Sequence, residues 1–222
     1  MSDFRDHIAV IDYGSSNLRS VSKALEAVAS PRQKVCVTND PKIIRDCEPA
    51  VFPGQGDIGD CMSQLKQLDL IESIKHCIAS KPFLGICLGL QSLMTYSDEN
   101  NGIDCLNIFS GSVKRFVRSN TGTSLEKIPH MGWNQVNWTN SHFLTRGIPT
   151  GSYFYFVHSY FVDTSSPKII ASSTNYIQEF TSAVSRENVF ATQFHPEKSA
   201  KNGLTFLTNF IKWNGNCDSL AD

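Results

Sequence analysis

The stretch that most constrains this chain is Lys81-Pro82-Phe83-Leu84-Gly85-Ile86-Cys87-Leu88-Gly89-Leu90-Gln91. Phe83 to Ile86 reads as a short buried strand, and Leu88 to about Tyr96 as the helix after it. Cys87 falls on the corner between them, with Gly85 two residues before and Gly89 two after. This is the Gly-x-nucleophile-x-Gly spacing of a nucleophile elbow, with cysteine in place of serine. Glycine at both flanks removes the Cβ atoms that would collide at a strained corner. The corner also sets the sulfur at a helix N-terminus, where unpaired N–H groups and the macrodipole favour thiolate over thiol. Alone, the stretch would fit a buried cysteine in an ordinary strand–turn–helix equally well.

A second stretch, Phe194-His195-Pro196-Glu197, decides between the two. A residue before proline is pushed to extended geometry, and in an extended chain positions i and i+2 face the same way. Glu197 is then placed to hold His195 in the tautomer that takes a proton from Cys87. The three residues form a triad with Cys87 as nucleophile, His195 as base and Glu197 as orienter.

These two motifs resemble the class I, triad-type glutamine amidotransferases. Within that family, Pro129-His130-Met131-Gly132-Trp133-Asn134, Tyr155-Phe156-Val157-His158-Ser159-Tyr160, Asp12-Tyr13-Gly14 and Asn17-Leu18 are similar to the glutaminases that serve imidazole glycerol phosphate synthase in histidine biosynthesis. The resemblance covers nearly the whole chain. It implies a three-layer α/β fold with a central, mostly parallel sheet, helices on both faces and a β-rich C-terminal half. It also implies hydrolysis of L-glutamine through a Cys87 thioester, with no cofactor and no metal. The ammonia would pass to a cyclase subunit of β/α-barrel type, in a heterodimer, for formation of imidazole glycerol phosphate and an aminoimidazole carboxamide ribotide.

Site roles follow from the same resemblance. The oxyanion hole would use the Leu88 N–H and a backbone N–H of Pro53-Gly54-Gln55-Gly56, at Gly54 or Gln55. Two glycines there let a peptide plane rotate at low cost, so the hole would switch between formed and unformed; an ordinary Gly-rich turn is the alternative. Gln91, one helical turn after Cys87, and His158-Ser159-Tyr160 would bind the substrate, although His158 reads as structural because the triad already has its base. Composition alone would put Met131 and Trp133 in the core. The resemblance instead turns them, with Lys198 and Asn17, toward the synthase partner, where aromatic and Met side chains are enriched.

Composition narrows the remaining classes. A length of 222 residues suits one large α/β domain over residues 1–222, and a net charge of −1 gives no reason to expect nucleic acid or an anionic membrane as partner. Cys36, Cys47, Cys61, Cys77, Cys87, Cys105 and Cys217 are odd in number, without a Cys-x-x-Cys pair, and no His–Cys pair has metal-ligand spacing. With no apolar signal segment or membrane-length run, the expected location is the cytoplasm, with reduced thiols. The six cysteines other than Cys87 read as packing or surface residues, and His7, His76 and His142 have no motif around them.

Along the chain, strands are expected at His7–Tyr13, Lys34–Thr38, Ala50–Phe52 and Phe83–Ile86. Helices are expected on Leu18, Val21, Leu25 and Val28, capped by Ser16 or Asn17, after Asp40-Pro41, and on Leu70, Ile71, Ile74 and Ile78. From Ile108 the pattern turns β-rich: Ser112–Val117, Asn134–Trp138, Tyr153–Val162, Ile169–Ser173, and a hairpin over Phe180–Phe194 turning at Arg186-Glu187-Asn188. A last helix over Ala200–Trp213 carries Leu204, Leu207 and Ile211 on one face. Alternating strands and helices argue a parallel sheet whose ligands bind beyond the carboxyl ends of its strands, where Gln55 and Cys87 both fall.

Other readings differ in the acceptor or in the class. The same glutaminase serving pyridoxal phosphate synthesis is disfavoured by Met131-Gly132-Trp133-Asn134, which does not separate a surface-sugar paralogue. A free-standing γ-glutamyl hydrolase or Cys peptidase is disfavoured by Glu197 and the Trp133 segment. A silent regulatory subunit is disfavoured by the intact Cys87, His195 and Glu197. The chain has no P-loop or dinucleotide-type Gly loop for the acceptor chemistry itself.

Overall fold

Alternation along the first strands sets the layering. The computed structural model describes residues 6–118 and 127–216. In β1 (His7–Ile11), Ile8 and Val10 enter one apolar layer while Ala9 and Ile11 enter the other. β2 (Lys34–Thr38), β3 (Ala50–Gly54) and β4 (Phe83–Cys87) lie parallel to it in the order β2-β1-β3-β4. Strands buried on both faces need helices on both sides. α1 (Leu18–Val28) sends Val21 and Leu25 to one layer, and α2 (Pro41–Asp46), α3 (Ile58–Gln67) and α4 (Ile71–Ser80) send Ile44, Leu65 and Ile74 to the other.

After the one-turn α5 (Leu88–Gln91) the chain is mostly strand: β5 (Tyr96–Ser97), β6 (Ile103–Asp104), β7 (Ser112–Arg115), β8 (His130–Trp138), β9 (Ser152–His158), β10 (Tyr160–Asp163), β11 (Ile170–Asn175), β12 (Glu179–Arg186) and β13 (Val189–Thr192), then α6 (Ala200–Lys212). β13 inserts parallel to β4, pairing Thr192 with Ile86, while β3 pairs Gly54 with Cys87 on the other side. Residues just past these three carboxyl ends therefore converge, as the switch-point rule requires. β12, β10 and β7 extend the sheet antiparallel, and β8 and β9 form a hairpin joined to it through β11.

Several sequence expectations give way to tertiary context. The helix after Cys87 stops at Gln91 instead of running to Tyr96. The Ser92 hydroxyl donates to Leu88 O at 2.7 Å, and Leu93 and Met94 N–H bond three residues back, tightening the turn. Tyr96–Ser97 is then drawn into the sheet by β6 and β7. α3 has no counterpart among the expected helices, although Asp57 caps it by accepting from Gly59 and Asp60 N–H. The expected single strand Tyr153–Val162 breaks at Ser159, because β9 pairs with β8 whereas β10 pairs with β7. On α6, Leu204 is 41% exposed, and Phe206 and Phe210 fill the core beside Leu207 and Ile211. Neither Ser16 nor Asn17 caps α1 through its side chain.

Candidate active site

The elbow is built by close packing. Cys87 has φ 55° and ψ −102°, a region that non-glycine residues rarely occupy. A Cβ on Gly89 would overlap the Phe52 carbonyl oxygen, and one on Gly85 would lie 3.0 Å from the Ala191 Cβ. The expected glycine requirement is thus a backbone contact with β3 at one flank and a side-chain contact with β13 at the other. With one turn in α5, the helix macrodipole at the sulfur is small, so side chains must supply most of the polarity.

His195 approaches Cys87 from the segment after β13. Its backbone N–H donates to Tyr155 O at 2.9 Å, and its carbonyl accepts from the Ser199 hydroxyl at 2.6 Å. The His195–Glu197 geometry differs from the extended i, i+2 expectation, because Pro196–Lys198 forms a 3₁₀ turn. That turn swings Glu197 Oε1 to 2.7 Å from His195 Nδ1. A Cβ at Gly203 would overlap Pro196 O, so the first turn of α6 presses directly on this segment.

The triad is buried, with no exposed surface on the side chains of His195 and Glu197. Burial opposes charge on His195, but the Cys87 sulfur and the Glu197 carboxylate outweigh it and raise the imidazole to about 10. Burial likewise pushes the Glu197 carboxyl up, and the hydrogen bond and charge of His195, with the Asn17 amide, bring it below the ordinary range. His195 Nε2 makes no formed hydrogen bond to a protein atom. Catalytic hydrogen bonds in free enzymes are often loose in this way.

Asn17 is only 4% exposed, and its Nδ2 donates to Glu197 Oε1 at 2.6 Å. The side chain of Asn17, expected to face the partner, lies against the Glu197 carboxylate. Gln91 donates to Tyr160 O and to Gln193 Oε1, both at 3.0 Å, and lines the cavity with Ser159 and Tyr160. His158 lines it too, but its ring is committed elsewhere. Nδ1 lies 2.7 Å from Tyr160 O and Nε2 lies 2.9 Å from His130 Nδ1. Burial lowers His158 to about 3 and His130 to about 4, so both are neutral near pH 7 and serve as rigid spacers.

A cavity of about 550 Å³ opens over Cys87 and Leu88, floored on one side by Gln55 and Gly56. Pro129, Tyr155, Val157 and Lys198 form part of its lining. Beside it, Met131 is 62% and Trp133 51% exposed, which overturns a core role for both. Trp133 meets Tyr155 edge-on, with centroids 6.2 Å apart. Sequence reasoning missed Gln193, Glu99 and Tyr155 at this site. Gln193 stands two residues before His195, but its contact with Cys87 depends on β13 lying beside β4, and Glu99 comes from a turn with no motif.

Residues 9–213 match the family model "Glutamine amidotransferase class-I". The chain belongs to the class I glutamine amidotransferase family. This amidotransferase is 50% identical over 208 residues to the imidazole glycerol phosphate synthase subunit HisH of Nitrosococcus oceani, spanning 94% of this chain and 98% of that one. It is 54% identical over 209 residues to the subunit of the same name from Nitrosomonas europaea, spanning 93% and 98%. Among solved structures, a putative GMP synthase protein from Thermoplasma acidophilum shares the fold, with a TM-score of 0.65 at 22% identity over 93% of this chain and 92% of that one. The amidotransferase fold, with its mostly parallel sheet and β-rich second half, is the one the motifs implied. Among the described residues, no helix is long and apolar enough to cross a membrane.

Proposed function

We propose that this amidotransferase is the glutaminase subunit of imidazole glycerol phosphate synthase, working in the cytoplasm as a heterodimer with a β/α-barrel synthase subunit. The observation that carries the reading is Cys87 lining a cavity, with the buried His195–Glu197 pair beside it and Met131 and Trp133 exposed nearby.

The chemistry follows from the geometry. The Cys87 thiolate attacks the γ-carbonyl of L-glutamine, and His195, protonated and steadied by Glu197, gives a proton to the departing ammonia. A water deprotonated by His195 then cleaves the thioester to glutamate, and the thiolate returns. The oxyanion of each tetrahedral intermediate takes the Leu88 N–H and a backbone N–H of Gly54 or Gln55, a reading supported by the pairing of Gly54 with Cys87. Gln91, Ser159 and Tyr160 hold the amino-acid end of the substrate. Met131, Trp133 and Lys198 face the synthase subunit, and ammonia leaves on that side.

The test is glutaminase rate for the chain alone, with the synthase subunit, and with that subunit carrying its nucleotide ligand. The expected order is slow, intermediate and fast, with a span of about a hundred- to a thousandfold if one oxyanion donor is missing at rest. A lone chain as fast as the liganded complex would overturn the partner-dependent reading and favour a free-standing hydrolase.

A further inference from the structure

Behind the cavity, three amides and carbonyls form a chain whose polarity is fixed from one end. Tyr160 O is a backbone carbonyl and only accepts, so the Gln91 amide nitrogen must face it. The other Gln91 N–H then donates to Gln193 Oε1, which turns the Gln193 amide nitrogen toward Cys87 Sγ, 3.5 Å away. Gln193 is fully buried, so neither end of its amide has solvent as an alternative partner.

We infer that Gln193 is a hydrogen-bond donor to the Cys87 sulfur and, through the same amide, orients Gln91 for substrate. The inference rests on Cys87 as the nucleophile of the proposed reaction. The other polar groups around the sulfur do not replace this donor. His195 approaches from the segment after β13 but must release its proton during turnover. Tyr13, two residues past β1, is a buried phenol whose hydroxyl makes no formed hydrogen bond, to the sulfur or to any other protein atom. The amide of Gln193 is a donor that never titrates, so it stabilises the thiolate at every stage in which the sulfur carries charge. Its effect on Gln91 is separate. With both N–H groups of Gln91 occupied, the Gln91 carbonyl is left as the acceptor presented to a donor on glutamine.

The experiment is the pH profile of Cys87 alkylation by iodoacetamide, read by mass spectrometry of the Cys87 peptide in the full chain. It reads the sulfur whether or not the glutaminase assignment holds. Gln193→Met keeps the shape and removes the donor, and the midpoint is expected to move up by about one pH unit, a tenfold change in thiolate stabilisation. Gln193→Glu sets a carboxylate beside the sulfur and should move it further in the same direction. In glutamine hydrolysis with the synthase subunit present, Gln193→Met should lower kcat and raise KM together, because nucleophile and substrate contact are both disturbed. If Gln193→Met does not fold, Gln193→Asn replaces it, since its shorter amide reaches neither partner and carries the same expectation. An alkylation midpoint equal to wild type in a folded variant overturns the inference.

Discussion

Two glycine-bearing segments lie side by side at the cavity, and they hold their glycines for different reasons. At the elbow, both glycines are demanded by packing: Gly85 against Ala191 and Gly89 against the Phe52 carbonyl. At the end of β3, Gly54 is likewise pressed, its Cβ position overlapping the Tyr13 hydroxyl. Gly56 is the exception, with φ +107° and nothing within 4 Å of where a Cβ would stand. Cys87, the proposed nucleophile, is therefore locked by neighbours on β3 and β13, while Gly56, at the far end of the proposed oxyanion turn, is limited only by its own dihedral. In the proposed mechanism this division would keep the sulfur in place and leave the donor side free to adjust.

Four substitutions probe that division. Cys87→Ala should abolish glutamine hydrolysis while leaving the circular dichroism spectrum unchanged, because the covalent route disappears and the corner gains only space. In the same variant, the His195 ring titration followed by NMR should move to lower pH, since an anionic neighbour that favours the imidazolium is gone. An unmoved titration would mean that the sulfur and ring do not interact.

Glu197→Gln keeps the shape of the orienter but no longer favours imidazolium on His195. Steady-state kinetics with the synthase subunit should show kcat falling by about a thousandfold or more with KM little changed. The variant also bears on stability. A carboxyl held below its ordinary range stabilises the fold above that range and loses the contribution as pH falls through its folded value. Gln does not titrate, so the acid-side fall of melting temperature should be shallower in the variant.

Gly89→Ala drives a methyl into the Phe52 carbonyl and should destabilise the fold by about 3 kcal/mol. At this chain length that lowers the melting temperature by roughly 10 °C. Gly56→Ala meets no neighbour and carries only backbone strain, about 1–2 kcal/mol, so its melting temperature should fall by less. Its effect should appear instead in the ratio of partner-stimulated to lone glutaminase activity, the quantity that a restricted oxyanion turn would change. Equal destabilisation by the two alanines would erase the distinction between a locked and an adjustable turn.

The parts of this protein carried by short-range pattern were open to reading without coordinates. Gly85-Ile86-Cys87-Leu88-Gly89 declares a corner by the spacing of its glycines, although the contacts that require them lie on β3 and β13, and Phe194-His195-Pro196-Glu197 sets base and orienter two residues apart, although the 3₁₀ turn that joins them is not in the pattern. The early strands and helices follow from periodicity, which each segment carries by itself. Tertiary structure decided whatever depends on segments far apart in the chain. Asn17 reads as a helix cap or a surface residue, yet its amide lies against Glu197, 180 positions away, because α1 and the turn before α6 pack together. The stretch after Gln91 reads as continuing helix, but β6 and β7 claim Tyr96 and Ser97 for the sheet. Met131 and Trp133 look like core by composition and stand exposed because of where β9 pairs. Gln193 gains its meaning only from β13 lying beside β4, since a hydrogen bond to a sulfur 106 positions away is a consequence of strand register, which no local pattern encodes.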